Sequence, residues 1–151
     1  MKSIALLVAV CAAICVSCGS SEPPTTGTPT TFDHVCDKAN EGKRLSLEGY
    51  LGFPEEFKER DSDVVLRLRN DPKATENIVG VVTNFGAEKN QVDKPGKSFS
   101  DADLKVHTTD GKVVGYTDKV KVSGTLGFPT ALATVEFKCR LDNPLIESSA
   151  P

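Results

Sequence analysis

Apolar and polar residues alternate with period two through much of this chain, a pattern that predicts strands rather than helices. Leu45, Leu47 and Leu51 alternate with Ser46 and Glu48 around Gly49, which predicts a strand over 43–52. Over 64–69, Val64, Leu66 and Leu68 fall on one face, and Val65, Arg67 and Arg69 on the other. Residues 78–83 are nearly all apolar, as in a central strand. The polar stretch 84–97, with two Gly and one Pro, reads as a loop. Ser100 followed three residues later by Asp103 has the form of a capping box, so a short helical turn is expected before a hairpin with Asp110-Gly111 at its tip. Further strands are expected over 119–127 and 132–141.

The chain also matches itself at an offset of 75 residues, where LSLEGYLGFP aligns with VKVSGTLGFP. Gly49/Gly124, Leu51/Leu126, Gly52/Gly127, Phe53/Phe128 and Pro54/Pro129 are identical pairs. A repeat architecture needs several copies, so the expectation is two strands with equivalent roles in one barrel, each bending at a glycine. A small closed sheet needs such bends to curve around a narrow core. The segments GKRLSLEGYL, DADLKV, DGKVVGYTDKVKVSGTL and CRLDNPLIE, within residues 40–147, together resemble the OB-fold. The likeness is to the anticodon-binding-like OB families found in many bacterial lipoproteins. It implies an all-β fold, a five-stranded Greek-key barrel with neighbouring first and fourth strands, here with an extra hairpin and a short helical turn. It supplies no function, because the fold hosts many.

Ahead of the barrel, residues 4–16 are wholly apolar behind Lys2, long enough for a signal-peptide core and too short to span a bilayer. Val16, Ser17 and Cys18 resemble a bacterial lipobox, with Cys15 where an aliphatic residue is usual. The resemblance implies cleavage before Cys18 and lipidation of its sulfur; Cys11 and Cys15 follow the large residues Val10 and Ile14 and fit less well. The competing reading is a plain secretory signal that leaves Cys18 an ordinary thiol. Gly19, in place of the Asp that retains lipoproteins at the inner membrane of enteric bacteria, leans toward an outer-membrane anchor facing the periplasm in a Gram-negative cell. The stretch GSSEPPTTGTPTT over 19–31 reads as a solvated spacer. The expected organisation is therefore a signal peptide 1–17, a lipidated cysteine and tether 18–31, a barrel domain 32–147 and a tail 148–151.

Removing residues 1–17 takes away one charge, Lys2, and moves the formal net charge from −3 to −4. A protein built to neutralise several phosphates shows a basic excess instead, so nucleic acid is not the expected partner. An envelope protein, peptide or glycan is. Cys36 and Cys139 sit near opposite ends of the folded region of an exported chain, where a disulfide is the natural pairing. A metal site of Cys36, Cys139 and His34 competes, but structural zinc wants four ligands and no second His or CxxC completes the set. No metal or other cofactor is expected.

OB-folds bind across strands two and three, flanked by the loops between strands one and two and between four and five. Those loops begin at Phe53-Pro54 and Phe128-Pro129, so Phe53 and Phe128 with the outward Arg67 and Arg69 form the candidate ligand-binding set. The alternative, which is preferred, has both Phe side chains plugging one end of the barrel and the arginines on a solvated surface. The fold itself proposes single-stranded nucleic-acid or oligosaccharide binding as the other function, although strands two and three contain no aromatic residue and the chain has no Trp. Enzymatic activity is not expected. His34 and His107 lack a nucleophile or metal partner at motif spacing, and Asp61/Asp63 and Asp101/Asp103 lack the Gly and distal Glu of an EF-hand loop. Asn90-Gln91 reads either as a ligand donor or as ordinary loop polarity.

Overall fold

A computed structural model of the chain describes residues 23–58, 60–76, 78–129 and 137–149. Nine strands occur among them: β1 (Thr28–Pro29), β2 (Arg44–Gly52), β3 (Asp63–Arg69), β4 (Val79–Asn84), β5 (Gln91–Val92), β6 (Val106–His107), β7 (Val113–Val114), β8 (Lys119–Gly127) and β9 (Arg140–Ser148). Helix among the described residues is limited to a single turn, α1 (Phe32–Val35), and two 3-10 turns, Lys38–Asn40 and Asp101–Asp103.

Five strands close on themselves in the order β2-β3-β4-β9-β8, with β8 pairing back to β2. All neighbours are antiparallel except β4 and β9, which run parallel. This is the OB-like barrel expected from the sequence, and its first and fourth strands, β2 and β8, are indeed neighbours. Closure follows from the alternation. Leu45, Leu47, Leu51, Val64, Leu66, Leu68, Val79, Val81, Val120, Val122, Leu126, Leu141 and Ile146 point into one continuous core. One end of the barrel is closed by the connection from β4 to β8, where β5, β6 and β7 form a small sheet that contributes Val92, Leu104, Val106 and Val114 to that core. The Ser100–Asp103 capping box and the Asp110-Gly111 tip both fall within this connection; Gly111 takes a positive φ of 83° at the turn.

The last strand is a correction. Residues 132–136 of the expected 132–141 strand lie outside the described residues, residues 137–139 are not strand, and β9 starts at Arg140. Pro144 had disguised it, because proline cannot donate to a ladder and reads as a strand breaker. The β8–β9 register shifts between Ser123 and Thr125, so that Gly124 faces the extra Asn143-Pro144, with Asn143 at φ 50°. The bulge removes the need for the missing N–H. Part of the spacer, still solvent-exposed, runs along the barrel: Thr28–Pro29 pair in parallel with Leu45 and Ser46, and the Thr30 N–H donates to Ser46 O at 3.0 Å. The Arg44 side chain donates to Thr25 O and, at 3.0 Å, to Asn143 O.

Candidate functional site

The twin Phe-Pro corners do not meet. Because β2 and β8 are antiparallel, Phe53 and Phe128 leave from opposite ends of their shared ladder, and the seven rungs from Arg44 to Tyr50 alone span roughly 20 Å. Neither a common rim nor a common plug can be made from this pair, which corrects both sequence readings. Phe53 is 1% exposed and plugs one end. Phe128 is half-buried at the other, with Lys38 Nζ 3.6 Å above its ring.

Arg67 and Arg69 do share the outer face of β3, as the alternation requires, but they are not a free cationic surface. Arg69 is 6% exposed, and its guanidinium donates to Asp101 Oδ2 at 2.7 Å. Asp101 Oδ1 accepts the Phe53 N–H at 2.8 Å and lies 3.9 Å from Arg67 Nη2. The Asp101–Asp103 turn supplies this carboxylate, while Asp103 accepts the Ser100 N–H at 2.9 Å and forms the cap. Gly52 makes room, since a Cβ there would collide with Arg69 Nη2 and come within 2.8 Å of Asp101 Oδ1. One acid therefore locks the covering turn onto β2 and β3.

The sheet face that OB-folds commonly use is also covered. A Cβ on Gly80 would meet the Phe137 ring and Val65 Cγ1, both at 2.9 Å, so Phe137 lies on the outer face of β3 and β4. The sequence gives Phe137 no such role; its only signal is the glycine opposite Arg67 in the register.

Four of the seven phenylalanines gather instead at the end where β2 and β4 finish. Phe53 contacts Phe99 edge to face at 5.4 Å between centroids, Phe99 contacts Phe57 at 4.7 Å, and Phe57 contacts Phe85 at 5.1 Å. Phe57, Phe85 and Phe99 are only half-buried. Phe57 and Phe99, with Lys94, Pro95, Gly96 and Lys97, line an open cavity of about 550 Å³. Lys94 Nζ donates to Asp61 O at 3.0 Å and sits 5.0 Å from the centre of the Phe85 ring. Sequence reasoning missed this site, although a lone Phe57 among the charges of EEFKER was a signal.

The remaining candidates resolve into structural roles. Cys36 and Cys139 form a disulfide across 103 residues, so the thiolates a metal would need are already bonded to each other. His34 lies 3.4 Å from Asp37 on an exposed turn, and His107 Nε2 lies 2.7 Å from Asp93 Oδ1. Among the described residues, no group of three or more His, Cys, Asp or Glu is placed to hold a metal ion. Asn90 takes φ 62°, and its side-chain oxygen accepts from Thr109 Oγ1 at 2.6 Å and Ile146 N at 2.7 Å, joining the small sheet to β9. Ser148, Lys112 and Asp110 also meet. Ser148 Oγ donates to Asp110 Oδ2 at 2.6 Å and accepts from Lys112 Nζ at 2.8 Å. The Ser148 hydroxyl, then the Thr108 hydroxyl, hold the Asp110 carboxyl well below the usual carboxylate range. Lys112 Nζ also lies 3.4 Å from Asp110 Oδ2. The trio clasps the hairpin to the end of β9.

Cys18 lies outside the described residues, and among those described no helix is long and apolar enough to cross a membrane. Comparison with protein-family models returns no match, and neither does comparison with curated proteins.

Proposed function

We propose that this chain is an exported, lipid-anchored binding or structural module of the cell envelope, attached through Cys18 and presenting its OB-like barrel to an envelope partner. The observation that carries the reading is the Cys36–Cys139 disulfide, a bond that persists in oxidising compartments and is rare in the cytosol. It agrees with the apolar leader over 4–16 and the cysteine that ends it. Kinship with the anticodon-binding-like OB families of bacterial lipoproteins belongs to this proposal, as does the outer-membrane, periplasm-facing location. No catalytic role is proposed: Ser148 is bonded to Asp110, Asp101 holds Arg69, and Asp103 caps a turn.

Single-stranded nucleic acid or oligosaccharide is the second reading, favoured by one observation, the ring cluster with Lys94 and Lys97 beside it. Against it stand the Arg69–Asp101 pair and the Phe137 ring, which occupy the sheet face such ligands use. Metabolic labelling with palmitate tests the anchor. Label present in the native chain and lost in Cys18→Ala is the expected result, and label retained in Cys18→Ala overturns it.

A further inference from the structure

We infer that the open cavity lined by Phe57 and Phe99 binds an apolar or aromatic carboxylate, the apolar group against the outside of the packed rings and the carboxylate at Lys94 and Lys97. This deepens the binding reading above by naming the ligand chemistry.

The lining is chemically one-sided. Its charged groups are both cationic, Lys94 and Lys97, and its remaining surface is Phe57, Phe99, Pro95 and Gly96. The chain is acidic overall, so two lysines as the charged part of the lining among the described residues run against its average charge. Two nearby acids have partners of their own: Asp61 Oδ2 accepts the Lys58 N–H at 2.9 Å, and Asp93 faces His107. The backbone from Lys94 to Lys97 passes through Pro95-Gly96, and both lysines line the same cavity.

Half-buried rings on a loop point the same way. Phe57 packs on Phe99 at 4.7 Å with the planes 33° apart, leaving no slot between them for a base to enter, so a ligand lies against the outside of the pair. Sugars are disfavoured by the lining, because among the described residues it carries no carboxylate or amide side chain to pair with hydroxyl groups. An apolar body bearing one anionic end matches what is present, since rings supply apolar contact and two ammonium groups supply charge-assisted hydrogen bonds. A free small carboxylate and the C-terminal residue of a peptide both offer this chemistry.

The test uses the chain as the cell processes it, in neutral detergent, followed by amide and aromatic NMR. The probes are N-acetyl-phenylalanine, its uncharged primary amide, and a hexapeptide ending in Phe with a free carboxylate. The acid is expected to shift the Gly96 amide and the Phe57 ring signals, and to bind about tenfold more tightly than the amide. Lys97→Gln should weaken the acid about tenfold and leave the amide unchanged, Phe57→Ser should weaken both, and Lys119→Gln should weaken neither. Hexapeptide binding tighter than the acetylated residue identifies a peptide terminus as the source, and equal binding identifies a free carboxylate. Shifts confined to other sites, equal affinity for acid and amide, or Lys97→Gln binding like the native chain would each overturn the inference. Thermal unfolding of each variant separates lost binding from lost fold. Palmitate labelling reports the anchor independently, so either proposal can fail alone.

Discussion

The two ends of the barrel are closed by different physics. Where β9 begins, the closure is covalent: α1 lays Val35 into the core, and Cys36 bonds to Cys139 immediately before the strand. Where β9 finishes, the closure is polar and noncovalent, built from the β5-β6-β7 sheet, the Asp101 clamp, the Asn90 junction and the Asp110–Ser148 clasp. The first lead-in is short, adds Val35 and part of Phe32 to the core, and is fixed to the last strand by the crosslink. The second is long enough to carry its own apolar residues and uses hydrogen bonds to fix their position. The covalent end responds to redox conditions and the polar end to charge, and that division can be tested.

The largest effect is expected at the covalent end. Closing a loop of 103 residues is worth about 4–5 kcal/mol in the chain-entropy model, so the Cys36→Ser/Cys139→Ser double variant should lose about that much in denaturant unfolding. Hydrogen exchange should quicken first in α1 and the start of β9 while the β6–β7 amides stay protected; uniform quickening would show that the ends are not separable. At the polar end, Asp101→Ala should cost about 3 kcal/mol by leaving Arg69 buried without its partner. Adding Arg69→Met should recover much of that loss, and a strictly additive double-variant cycle would sink the clamp. The smallest effect is a pH dependence. The folded Asp110 carboxyl titrates below its unfolded value of about 3.9, so its contribution is present above that pH and fades as pH falls through the folded value. Asp110→Asn should flatten that part of the acid limb and loosen the hairpin amides, with no matching change near Cys36.

How much of this could be read in the sequence depends on how far apart the interacting residues lie. β2, β3, β4 and β8 were legible within one residue at each end because alternation, or for the central β4 a continuous apolar run, is a local signal. β9 was hidden because Asn143-Pro144 interrupts its pattern, and only the bulge opposite Gly124 explains how a strand tolerates them. The twin GFP corners were correctly read as equivalent strand ends. Their placement was not legible, since antiparallel pairing sends identical sequences to opposite ends. Asp101 looked like half of a turn motif because its partner Arg69 is 32 residues away. Phe57 was overlooked because a single aromatic among charges has no periodicity to betray it, and its neighbours Phe85 and Phe99 come from a segment that read as loop and turn.

The docking of Thr25 to Thr30 onto β2 changes what the N-terminal segment can do as a leash. With the anchor proposed at Cys18, the seven-residue separation from there to Thr25 sets an upper limit of about 25 Å of fully extended chain. If the proposed anchor is present, such a short reach would confine the barrel to a thin layer beside the bilayer and raise its effective concentration toward anything embedded in or lying on the same membrane. Partners deeper in the surrounding compartment would have to come to it.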